Sequence, residues 1–164
     1  EKSMTWLKQI NQKIIAFNSI IEFTDKWSDQ KICFTNGCFD LLHLGHIDYL
    51  SKAADLADKL IIGVNTDQSV SKLKGTHRPI KDEISRATIL ASLSFVDLVI
   101  LFDEDTPINL IETIQPDVLV KGADYTLDKV VGAKETIERG GQVELISFLD
   151  GYSTSSLESK IRNH

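Results

Sequence analysis

The stretch Lys31-Ile32-Cys33-Phe34-Thr35-Asn36-Gly37-Cys38-Phe39-Asp40-Leu41-Leu42-His43-Leu44-Gly45-His46 decides the fold. Its first residues form a short apolar run with strand character, and the run stops at Asn36-Gly37, a turn signal. After His46, residues Ile47, Leu50, Ala53, Ala54 and Ala57 share one helical face. A strand, a glycine turn and a helix in that order make a phosphate site, because the free N–H groups of the helix end attract anions. Gly37 permits a tight bend, and Gly45 lets a ligand approach the helix start. His43 and His46 are three residues apart, so at a helix start both can face one phosphate group.

Outward from this unit the alternation repeats. Lys59-Leu60-Ile61-Ile62-Gly63-Val64-Asn65 is apolar nearly throughout, as a parallel strand covered on both faces should be. The polar, basic segment from Ser71 to Arg78 reads as a loop, and a helix follows from about Asp82 to Ser94. Asp97 to Phe102 is the third strand, and Thr106-Pro107 opens a helix with Thr106 as N-cap. Val118 to Lys121 is the fourth strand, and a helix from about Asp128 to Arg139 stops at Gly140-Gly141. Gln142 to Phe148 is the fifth strand, and a last helix starts near Ser153. Upstream, Trp6, Ile10, Ile14 and Phe17 have helical spacing, which predicts one helix from Met4 to about Phe17. The expected fold is α/β: a single doubly wound domain with a five-stranded parallel sheet over 31–164, preceded by an N-terminal helical extension over 1–30.

The bulk numbers narrow the function. With 164 residues, 42% hydrophobic and 26% charged, the chain is long enough for one domain with its own core. A net charge of −6 argues against nucleic acid as the main partner. No apolar run approaches the ~18–20 residues of a membrane span, and no signal-peptide pattern opens the chain. Cys33 and Cys38 make neither a disulfide framework nor a zinc site, and read as two thiols in a reducing, cytoplasmic setting. The start at Glu1 rather than methionine is the start expected of a piece of a longer protein.

In an open α/β sheet the ligand sits at the carboxyl ends of the strands, near the reversal of strand order. Asn36, Gly37, Cys38, Phe39 and Asp40 lie there, with Asp40 expected to order the turn or help place a metal ion. Lys72, Lys74 and Arg78 are a locally positive segment at the same edge, read as a mobile flap over phosphates with Lys74 as its main contact, or else as a solvated loop. Lys121, Gly122 and Asp124 end the fourth strand; Gly122 allows close approach, and Asp124 contacts hydroxyls or ends the strand as a turn residue. Ser153, Thr154 and Ser155 precede the last helix as an N-cap, a role compatible with phosphate binding. Glu83 and Arg86 are three apart on one helix, the spacing of an exposed ion pair.

His43-Leu44-Gly45-His46 resembles the His-x-Gly-His signature of the nucleotidyltransferase superfamily. The segments from Phe34 to His43, Arg78-Pro79-Ile80 with Glu83 and Arg86, Val120 to Tyr125 and Gly151 to Ser155 together resemble the adenylyltransferase domain of ADP-heptose synthases, over about Lys31 to Arg162. The resemblance implies a Rossmann-like nucleotidyltransferase fold and AMP transfer from ATP to D-glycero-β-D-manno-heptose 1-phosphate. The product, ADP-heptose, would serve lipopolysaccharide synthesis, with magnesium held mainly by the nucleotide phosphates. It implies catalytic roles for His43, His46, Lys74 and Arg86, the last reaching substrate or triphosphate, and pyrophosphate held at Ser153-Thr154. It also implies a homo-oligomer, such as a dimer, and a sugar kinase on a separate or trimmed-away chain. Many cytidylyltransferases carry an arginine shortly before the second signature, and Phe148-Leu149-Asp150-Gly151-Tyr152-Ser153 has none. The rival readings are a cytidylyltransferase for phosphoethanolamine or glycerol 3-phosphate and a non-catalytic nucleotide-binding module. A flavodoxin-like carrier would need a Ser/Thr-rich loop that Asn36 to Asp40 does not supply.

Overall fold

The computed structural model describes residues 4–163. Six strands form one parallel sheet: β1 (Ile14–Ile15), β2 (Ile32–Gly37), β3 (Lys59–Asn65), β4 (Leu98–Phe102), β5 (Val118–Gly122) and β6 (Gln142–Ile146), in the order β1-β4-β3-β2-β5-β6. The helices are α1 (Trp6–Asn11), α2 (Ile20–Lys26), α3 (Leu44–Ala54), α4 (Asp67–Lys74), α5 (Glu83–Ala91), α6 (Ile108–Ile114), α7 (Ala133–Glu138) and α8 (Thr154–Arg162). Successive strand residues point to opposite faces, so each central strand feeds two cores. Cys33, Leu60, Ile62 and Val64 pack with Leu50 and Ala53 of α3 and Leu90 of α5. Phe34, Ile61, Ile100 and Leu119 pack with Ile20 of α2 and Ile111 of α6. At the amino ends of the strands, Asp58, Asp97 and Asp117 accept backbone N–H bonds from Lys31, Leu60 and Ile32, satisfying donors the ladder leaves open.

The sheet has one strand more than the expected five. The extra strand lies in the N-terminal segment expected to be helical: α1 ends at Asn11, and Ile14 and Ile15 pair with Val99 and Ile100. Two adjacent β-branched residues fit a half-covered sheet edge, which outweighs the helical spacing around them. Ile20, fully buried in the second core, ties the same segment to the sheet. Two helices are also shorter than expected. The predicted helix over 128–139 is a 3₁₀ turn at Leu127–Lys129 and then α7, divided at Gly132. Gly132 takes φ +80°, and a Cβ there would stand 2.7 Å from the Ile111 side chain. α6 begins after Pro107, with no capping bond from Thr106. Among the described residues no helix is long and apolar enough to cross a membrane.

Strand order reverses beside β2: β3 and β4 follow on one side, β5 and β6 on the other. The crevice therefore opens where β2 and β5 end, at Asn36-Gly37 and Lys121-Gly122.

Candidate active site

Two cavities meet at that crevice, one of about 330 Å³ and one of about 190 Å³. They share a wall made of Asn36, Gly37, Cys38, Lys74, Lys121 and Tyr125. The smaller lobe reaches His46, Gly122, Asp124, Phe148 and Thr154, on the side of α3 and α8. The larger reaches Asn65, Phe102, Asp105, Thr106 and Lys129, on the side of α6 and α7.

The two histidines form one unit. His43 is the extended N-cap of α3, and its backbone N–H donates to His46 Nδ1 at 3.2 Å. That bond requires an unprotonated Nδ1, so the His46 proton sits on Nε2, on a ring that lines the smaller lobe. The two rings lie 3.9 Å apart between centroids, and Phe39 meets His46 edge-on at 5.7 Å. Burial, then the neighbouring His43 and Lys74, push the His46 pKa down to about 4. Burial also lowers that of His43. His43 Nδ1 is buried with no partner among the described residues. Gly45 makes the stack possible, since a Cβ there would lie 2.9 Å from the His43 ring.

Asp40 has a structural task. It is 3% exposed, and its carboxylate accepts from Arg78 Nη1 at 2.7 Å and from the backbone N–H groups of Ile80 and Lys81. Burial alone would raise its pKa, but the Lys81 and Ile80 N–H groups and Arg78 outweigh it and hold the carboxyl below its usual value. Both oxygens accept from groups of the 78–81 turn, which supports the turn-ordering role. The other edge of Arg78 pairs with Glu158 on α8 at 2.5 Å, so one guanidinium joins the turn after β2 to the last helix.

Lys74 lines both lobes, but not from a loop: the basic segment is helical through Lys74, as α4. Thr66 caps that helix by accepting from Ser69 N–H at 3.2 Å, and Val70 is its buried anchor. Lys72 lines neither lobe. Lys121 places its Nζ 3.4 Å from Asn36 Oδ1 and 5.0 Å from the centre of the Tyr125 ring, and burial lowers its pKa. Gly122 is required by packing: a Cβ there would collide with the Phe148 ring.

Arg86 corrects the expectation of a phosphate contact. It is 1% exposed, and its guanidinium donates to the carbonyls of Lys81, Cys38 and Asn65 and to the Asp67 carboxylate. It cross-links the ends of β2 and β3 from beneath the cleft. Glu83 does not pair with it; both meet Asp67, Glu83 through the Asp67 backbone N–H. The Ser/Thr run is likewise divided. Ser153 caps α8 by accepting from Ser156 N–H at 3.0 Å, and Thr154 lines the smaller lobe. Ser155 faces a separate surface depression with Arg162, away from the expected nucleotide contacts.

Asn65, Tyr49 and Phe148 line the cleft without having been expected there. Asn65 ends β3, next to the reversal, so the strand-end rule that selects Asn36 also selects it. Tyr49 bonds Thr35 at 2.8 Å and stacks on Phe148, a pairing between residues 99 positions apart that no local pattern announces.

The cytidylyltransferase-like family model matches residues 34–159, which includes every cleft residue named above. The chain is 58% identical over 132 residues to the bifunctional protein HldE of Citrifermentans bemidjiense, covering 80% of this chain and 27% of that protein. It is 51% identical over 154 residues to that of Paramagnetospirillum magneticum, covering 93% and 32%. The chain thus spans under a third of the length of these relatives. Among solved structures, a lipopolysaccharide core biosynthesis protein from Thermoplasma volcanium superposes with TM-score 0.58 at 30% identity, over 76% of this chain and 99% of that one. A pantoate-β-alanine ligase from Francisella tularensis shares the fold, with TM-score 0.56 at 16% identity, over 91% and 77%. On the family match and these identities, the chain belongs to the cytidylyltransferase-like family of nucleotidyltransferases.

Proposed function

We propose that the chain transfers AMP from ATP to D-glycero-β-D-manno-heptose 1-phosphate, releasing pyrophosphate and ADP-heptose for lipopolysaccharide synthesis. The observation that carries this reading is the His43–His46 unit, which presents a neutral imidazole N–H beside two lysines at the strand-order reversal. The relatives named bifunctional protein HldE and the lipopolysaccharide core biosynthesis protein support a nucleotidyltransferase role on the route to lipopolysaccharide; the choice of acceptor rests on the resemblance of the sequence motifs.

The acceptor phosphate is anionic at neutral pH and needs no general base. Its oxygen attacks the α-phosphorus in line; the new P–O bond forms as the bond to the bridging oxygen breaks, and pyrophosphate leaves with that electron pair. Catalysis is then alignment and charge stabilisation. His46 Nε2–H donates to oxygen where charge develops, and Lys74 and Lys121 neutralise phosphate charge on the shared wall. The open N–H groups at the start of α8, beside Thr154, hold the leaving pyrophosphate. Asp124 and Gly122 border the nucleoside. Magnesium enters as part of the nucleotide substrate, held by its phosphates and water; Asp40, which accepts from Arg78, Ile80 and Lys81, orders the turn beside it. A sugar kinase activity supplies the acceptor, from the rest of a longer protein or from another chain.

The test is pyrophosphate release with the heptose 1-phosphate, comparing ATP, CTP and GTP. Turnover with ATP alone supports the reading. Turnover with CTP alone moves the chain to the cytidylyl branch and reopens the acceptor. Nucleotide binding without turnover supports a non-catalytic module.

A further inference from the structure

The cleft has two lobes, and the transfer reaction needs two substrates whose phosphates touch. Lys74 and Lys121 stand on the wall the lobes share, so the meeting point of the phosphates is there. The smaller lobe has the histidine and the start of α8, the features suited to a triphosphate and its leaving group. The larger lobe has neither. It carries Asp105 and Thr106 from the turn after β4 and Lys129 from the 3₁₀ turn before α7, set against Leu73, Phe102 and Val130. Among the described residues none of these three polar side chains forms a hydrogen bond or ion pair within the protein. A carboxylate, a hydroxyl and an ammonium at the mouth of a cavity of about 330 Å³ match the alternating donors and acceptors of a small polyol.

We infer that the larger lobe is the acceptor subsite, binding a sugar phosphate with its phosphate on Lys74 and Lys121 and its hydroxyls read by Asp105, Thr106 and Lys129. The inference rests on the proposed transfer reaction. It adds the residues that set acceptor specificity and separates them from those that hold the nucleotide.

The experiment is calorimetric titration of wild type, Asp105→Ala and Lys129→Ala with the heptose 1-phosphate and, separately, with magnesium ATP, alongside steady-state kinetics. Losing one charge-assisted contact is expected to weaken sugar phosphate binding and raise its KM about tenfold in each variant. ATP affinity and ATP KM should stay within about twofold of wild type, as for a group touching only one substrate. Equal weakening of both ligands, or unchanged sugar phosphate binding in both variants, overturns the inference. If sugar phosphate binding depends on Asp105 and Lys129 while no donor gives turnover, the acceptor subsite stands and the transfer reaction is what fails.

Discussion

The backbone N–H of His43 donates to Nδ1 of His46 at 3.2 Å, and this one bond decides what His46 can do. It fixes the tautomer with the proton on Nε2, and it is lost if Nδ1 is protonated. A pKa near 4, set by burial and by His43 and Lys74, keeps the ring neutral through the physiological range. His46 therefore acts as a dipolar donor rather than a cation.

A nitrogen-detected NMR titration should show His46 with Nε2 protonated and Nδ1 bare from neutral pH down to about 5, titrating near 4. The sign of the stability effect follows. Below the ordinary histidine value the unfolded chain binds a proton that the folded one refuses, so this group lowers stability as pH falls from about 6.5 towards 4. A cationic His46 at pH 6 would contradict this assignment. His46→Ala should lower kcat by about 10² to 10³, the scale of a lost transition-state donor.

Gly45→Ala separates ring position from ring identity. The added methyl would lie 2.9 Å from the His43 ring, so the stack must shift while both histidines remain. Alanine also favours the helix, so thermal stability should change little. We expect a kcat loss of at least about tenfold with a Tm close to wild type, because small misplacement of an aligned group is costly. Full activity would show that the stack is not part of the chemistry.

Much of this site was legible because strand ends can be read locally. The apolar run of β2, the Asn36-Gly37 stop and the histidine spacing lie within one stretch, and they point to the sheet edge at which the two cavities open. Three things were hidden for physical reasons. β1 is two residues long, below the length at which alternation can be distinguished from a helical repeat. α4 has one buried apolar residue, Val70, so its helical face is too thin to register against a run of polar side chains. Arg86 has the spacing of a surface pair with Glu83, yet its partners are carbonyls 21 and 48 positions away, which only the folded sheet brings together.

The buried position of Arg86 makes opposite predictions for its two possible roles. As a phosphate contact, its loss would raise substrate KM in a folded protein. As a buried cross-link, its loss leaves the carbonyls of Cys38 and Asn65 and the Asp67 carboxylate short of a donor. Arg86→Ala should therefore destabilise the protein in urea unfolding by about 1–3 kcal/mol for each buried carbonyl left without a donor; Asp67, 41% exposed, turns to water instead. Arg86→Lys should recover only part of it, because an ammonium cannot span the same fork. A folded, stable Arg86→Ala enzyme with only a raised KM would return Arg86 to the phosphates.

The two cysteines offer a check on the cleft that needs no acceptor. Cys33 is fully buried in the sheet, and burial pushes its thiol up to about 12, so almost no thiolate exists at pH 8. Cys38 is partly exposed and lies on the wall shared by both lobes, beside Lys74 and Lys121. Brief treatment with a thiol-directed alkylating reagent, read by peptide mass spectrometry, should modify Cys38 and spare Cys33. Saturating magnesium ATP should slow that modification, because a nucleotide with its phosphates on the shared wall covers Cys38. Equal labelling with and without nucleotide would place the phosphates elsewhere, and fast labelling of Cys33 would mean that the sheet opens far more readily than its packing implies.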